Sequence, residues 1–70
     1  MRTEMMDYVL TQVQIGDEEV IMQPQVVYAP FERCARAYAH GLAVGYNIIV
    51  KIECNGRMLD IVDGNLRRVI

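Results

Sequence analysis

Three side chains in this sequence could serve nucleophilic or metal chemistry: Cys34, Cys54 and His40. Serine is absent altogether, which removes serine hydrolase chemistry. A thiol attacks as the thiolate and needs a base or a positive charge beside it. If Cys34 and His40 share a helix, their six-residue separation turns them about 240° apart around its axis. Their side chains then diverge, and Cys54 could meet His40 only through folding. The same three residues make no metal set, because they contain neither a C-x-x-C pair nor an H-x3-H spacing. The expectation is therefore no catalytic residue, no metal ligand and no cofactor. Two cysteines are few for a small secreted scaffold, so reduced thiols that pack as small apolar groups are expected over a Cys34–Cys54 bridge.

The carboxylates and glycines are equally plain. Asp17, Glu18 and Glu19 fall on a turn, and paired carboxylates do acid–base work only where their geometry converges. Asp60 and Asp63 sit near the C-terminal end, and Asp60 is expected to face Lys51 across a hairpin. Gly41 and Gly45 form no phosphate loop, since no G-x-G-x-x-G or G-x4-G-K surrounds them.

Charge carries more information. The formal net charge of the 70 residues is −2. Ahead of Arg33 stand six acids and one base, giving −5; from Arg33 onward stand six bases and three acids, giving +3. Such asymmetry marks a binding surface or holds two subunits in register. Six of the seven bases are arginine, which suits bidentate or stacked contacts. Arg33, Arg36, Arg57, Arg67 and Arg68 form the candidate anion-binding set, with Tyr38 or Tyr46 as stacking platforms for a nucleic acid. Against that stand the net acidity and the absence of any recognisable nucleic-acid-binding pattern. Nucleic acid or a phosphorylated small ligand is therefore the second reading.

These residues must be positioned by a few short elements. Asn55-Gly56 is the favoured two-residue type I′ turn. It predicts a hairpin of Asn47–Cys54 with Arg57–Val62, with Ile52 facing Leu59, Val50 facing Ile61 and Lys51 facing Asp60. Upstream, Pro30 suits the first position of a helix. Phe31, Cys34, Ala35, Tyr38 and Leu42 then recur at helical spacing as the apolar stripe, with Glu32, Arg33, Arg36 and His40 opposite. Glu32 and Arg36 are an i, i+4 ion pair, and Gly45 is the expected stop. Tyr8–Ile15 alternates and is β-branched, and Val20–Tyr28 follows a Gly16–Glu19 turn. A hairpin there sets Ile15 opposite Val20 and Val13 opposite Met22. Met6, Val9, Leu10 and Val13 also fit a helix, but propensity favours a strand. Pro24 cannot donate to a ladder, so the second strand is an edge or is broken there. Asp63-Gly64-Asn65 reads as a last turn, with room for a short strand in 66–70.

The fold class is α+β, a two-layer sandwich: an antiparallel sheet of four to five strands with one helix, in the order hairpin, helix, hairpin. The chain is expected to be one domain, 1–70, with residues 1–6 flexible. A core this small is marginal, and self-association is the natural supplement. One helix covers one face of a sheet. The other is expected to carry Leu10, Ile21, Ile49, Met58 and Val62 among Gln12, Gln14, Gln23, Gln25, Lys51 and Asp60. Five large apolar residues there would be an association surface. The expected partner is a second copy or another protein, ahead of nucleic acid. Although 53% of residues are hydrophobic, no run has the length of a membrane span, and Met1–Asp7 holds no apolar signal region, so a cytoplasmic, non-membrane protein is expected.

Overall fold

The computed structural model describes residues 4–64. Four strands and one helix follow in the order β1 (Met6–Val13), β2 (Gln25–Ala29), α1 (Glu32–Tyr46), β3 (Ile49–Cys54) and β4 (Arg57–Asp63). The strands form one antiparallel sheet in the order β2-β1-β3-β4, and the helix lies on one face of it. This is the expected α+β sandwich with four strands. The segment 66–70, expected as a short terminal strand, lies outside the described residues, as do residues 1–3. Within the segment 1–6, expected to be flexible, Met6 pairs with Ala29 as the first residue of β1.

β1 and β2 pair from Met6↔Ala29 to Leu10↔Gln25. Ile15↔Val20 and Val13↔Met22 would continue the same alignment, yet the ladder stops at Gln25 and residues 14–24 form a loop. Two features end it. Pro24 has no N–H to donate. Gln12, buried on β1, then takes the loop's backbone for itself. Its Nε2 donates to the Glu19 carbonyl at 2.9 Å, and its Oε1 accepts the N–H groups of Ile21 at 2.7 Å and Met22 at 3.0 Å. Met22 is buried and anchors the loop to the core.

The helix starts two residues after Pro30, with Phe31 as its N-cap. It passes the expected stop at Gly45 and ends at Asn47, whose φ of 61° is left-handed. Asparagine tolerates that conformation, and the Ile48 N–H closes the end on the Ala43 carbonyl at 2.9 Å. The buried stripe is Ala35, Ala39 and Ala43. The expected stripe was thus rotated by about one residue: Cys34 is exposed, as are Phe31 and Tyr38, and of its larger members only Leu42 packs against the core. The helix thus meets the sheet with methyl groups. The bulk comes instead from Tyr8, Leu10, Met22, Ile48, Val50 and Ile52.

Asn55 (φ 55°) and Gly56 (φ 76°) make the expected turn, and Cys54↔Arg57 and Glu53↔Met58 keep the expected register. A bulge then intervenes, and the partners become Ile52↔Asp60, Lys51↔Ile61 and Val50↔Val62. The expected pairs Ile52–Leu59, Val50–Ile61 and Lys51–Asp60 are therefore not made. Leu59 is the extra residue; it and Val62 pack against the core on the helix side. Gly64 donates its N–H to the Ile48 carbonyl at 2.9 Å. A Cβ on Gly64 would collide with the Ala43 carbonyl, so only glycine lets the chain pass under the helix end.

Candidate functional site

Strand alternation separates two faces. Tyr8, Leu10 and Gln12 on β1 and Val50, Ile52 and Cys54 on β3 are buried toward the helix. The intervening residues point away from it. Across the open face, the register sets Val26, Val9, Glu53 and Met58 in one row. Thr11, Lys51 and Ile61 make the next, and Val13, Ile49 and Asp63 the one after. Tyr28 stands at the β2 corner beside Asp7. Val26 and Tyr28 are each 66% exposed, Met58 54% and Ile61 48%. Val9, Val13 and Ile49 lie on the two central strands and are half-buried by their neighbours. Near the middle, Lys51 Nζ stands 3.8 Å from Glu53 Oε1.

Of the five residues expected on this face, Ile49 and Met58 are on it. Leu10 is fully buried beneath the helix, and Val62 also points to the helix side. Ile21 is exposed, but in the loop that Gln12 holds. Gln12, Gln25 and Asp60 leave the face as well: Gln12 is buried, Gln25 Oε1 accepts from the Tyr38 hydroxyl at 3.4 Å, and Asp60 meets the helix. The residues not foreseen are Val9, Val13, Val26, Tyr28 and Ile61. On β1 both alternating sets are apolar, so the pattern alone does not say which faces the helix. On β4 the bulge inverts the alternation after Met58.

The arginines are drawn to different neighbours. Arg36 bridges Glu32 and Asp60, with Nε donating to Asp60 Oδ2 at 2.8 Å. The hydrogen bond to Asp60 raises the Arg36 pKa, and the same bond holds the Asp60 carboxyl below its ordinary range. Arg33 stacks its guanidinium 4.7 Å from the centre of the Phe31 ring. Arg57 lines a cleft of about 380 Å³ with Tyr8, Cys54 and Glu32, so that cleft carries both signs of charge. Burial first, then Cys54, pushes the Tyr8 phenol up. Arg67 and Arg68 lie outside the described residues.

A second groove of about 490 Å³ runs between Arg36, His40 and Val44 of α1 and the end of β4. His40 and Cys34 are exposed on the helix, and Cys54 is a buried free thiol. Among the described residues, no three His, Cys, Asp or Glu side chains are placed to hold a metal ion. No described helix is long and apolar enough to cross a membrane.

Fold and faces together define a small α+β sandwich in which, among the described residues, one sheet face is covered and the other is open. No family model matches this chain, and no curated protein or solved structure matches it.

Proposed function

We propose that this chain is a non-enzymatic protein-interaction module that associates with itself through the open face of its sheet. One observation carries the reading. Val9, Val13, Val26, Tyr28, Ile49, Met58 and Ile61 share one face and are spread over all four strands, around a centre of Thr11, Lys51 and Glu53. A sheet face turned to water is ordinarily polar. Seven large apolar side chains gathered on one sheet face support an association surface there. Size argues the same way, since a 70-residue chain gains proportionally much from burial between copies.

The sheet edges are poorer candidates. β2 is only five residues long and follows Pro24, and β4 is interrupted by its bulge. Short strands, proline and bulges all discourage edge-to-edge pairing. Sedimentation of the wild-type chain against the double variant Val26→Lys, Ile61→Lys tests the reading. Both side chains are largely exposed, so the variant should fold. The expected result is an associated wild type and a folded, monomeric variant. A wild type that stays monomeric at high concentration, or association that survives both lysines, would overturn it.

A further inference from the structure

The open face holds one ion pair inside its apolar field, and the position of that pair constrains how two copies can meet. Lys51 and Glu53 lie one on each side of Ile52 along β3, both projecting onto the open face. Their side chains retain 35% and 31% exposure. An exposed pair of this kind adds little to the stability of the monomer. Covered by another surface, it becomes expensive unless every charge stays paired.

We infer that Lys51 and Glu53 are the specificity determinants of self-recognition, each pairing with the opposite residue of a second copy across a two-fold axis that crosses β3 at Ile52. The inference rests on the proposed association through this face. Two sheets stacked face to face keep their strands roughly aligned, about 10 Å apart. A two-fold axis midway between them can run along β3 or across it. An axis along β3 lays Lys51 over Lys51 and Glu53 over Glu53. An axis across β3 at Ile52 turns the second copy end for end, which sets Lys51 over Glu53 twice. The four charges then alternate in sign, so each has an opposite neighbour in its own chain and another in the partner.

Next to the axis the residues to either side fit the second arrangement, while one row further out it brings Ile49 over Asn55 and Val13 over Asp7 at the rim. Glu53 pairs with Met58 and Lys51 with Ile61 in the sheet, so exchanging the two rows brings Met58 over Ile61. On the β1 side the same exchange brings Val9 over Thr11. Apolar side chains thus flank the charge cluster on the β4 side, and the methyl of Thr11 meets Val9 on the other. An unrelated protein surface would need its own alternating pair at the same spacing. A second copy supplies one by symmetry.

Charge reversal tests this directly. Lys51→Glu should weaken self-association on the order of a hundredfold, because it stacks like charges twice. Glu53→Lys should do the same. An equimolar mixture of the two variants should associate, since one copy then offers two glutamates and the other two lysines. The double variant Lys51→Glu, Glu53→Lys should associate with itself like the wild type. Sedimentation and native mass spectrometry read all four samples, with circular dichroism confirming the fold of each. If the wild type associates, Val26→Lys with Ile61→Lys abolishes that, and the charge variants change nothing, the two-fold arrangement is wrong while the face reading stands. If the two lysines also change nothing, both fall.

Discussion

Arg36 and Asp60 tie the helix to the edge strand: Arg36 Nε donates to Asp60 Oδ2 at 2.8 Å, across 24 residues of sequence. The bulge makes this contact available by turning Asp60 toward α1. Asp60 also accepts the Ile61 N–H on its other oxygen at 2.8 Å. The Arg36 bond first, and the Ile61 bond second, hold its carboxyl below the ordinary aspartate value of 3.8. A carboxyl with a depressed folded-state pKa contributes stability in full above its unfolded value, and that contribution is lost as pH falls through the folded value. The melting temperature should therefore decline on acidification from about pH 5 toward about pH 2. Asp60→Asn should melt lower at neutral pH and show a shallower acid decline. Thermal scans across pH, with the slope unchanged by the substitution, would remove Asp60 from the account.

Gln12 is the buried hinge of the β1–β2 loop. Gln12→Ala strands the Ile21 and Met22 N–H groups and the Glu19 carbonyl. Met22 is the buried one of these residues, and leaving a buried polar group unsatisfied costs about 1–3 kcal/mol, so a loss of about that size in urea unfolding is expected. Amide exchange should accelerate at Ile21 and Met22 well beyond the change at β3. Uniform acceleration would mean that the loop is not held locally.

Two glycines should respond for different reasons. Gly56→Ala places a side chain at φ 76° in the hairpin turn and should cost about 1 kcal/mol. Gly64→Ala drives a methyl into the Ala43 carbonyl, and overpacking of this sort costs about 1–3 kcal/mol. The Gly64 variant should be the less stable of the two in denaturant titration. The reverse order would show that the chain under the helix end gives way easily.

The helix stripe is open to the same kind of check. Ala39→Leu overfills a site with no exposure and should destabilise by about 1–3 kcal/mol. Ala37→Leu, on the exposed side, should change stability by about 0.5 kcal/mol or less. Equal effects at the two positions would contradict the observed rotation of α1.

How far the residues announce this structure varies with the kind of signal. The hairpin turn was readable because Asn55 and Gly56 both accept a left-handed backbone, a local property of two residues. The number and order of elements followed from alternation and helical spacing. What failed were choices between near-equivalent faces. Alanine and the aromatics both fit a helical stripe, and spacing alone does not choose Ala35, Ala39 and Ala43 as the side that meets the sheet. Val9 and Leu10 are equally apolar, so β1 does not declare its inner side. The open face was therefore foreseeable as a surface left uncovered by one helix, but of its members only Ile49, Lys51 and Met58 were.

The bulge in β4 has a further consequence for tolerance to change in length. Because Leu59 has no partner of its own on β3, the strand carries one residue of slack. Deleting Leu59 would leave every remaining β3–β4 partnership intact. Deleting Asp60 would let Leu59 take its place opposite Ile52, at the cost of the anchor to Arg36. On β3, the central neighbour, no such spare exists, and losing Lys51 or Glu53 would force one end of that strand inside out. A shortened β4 is thus a survivable accident for this domain, and a shortened β3 is not.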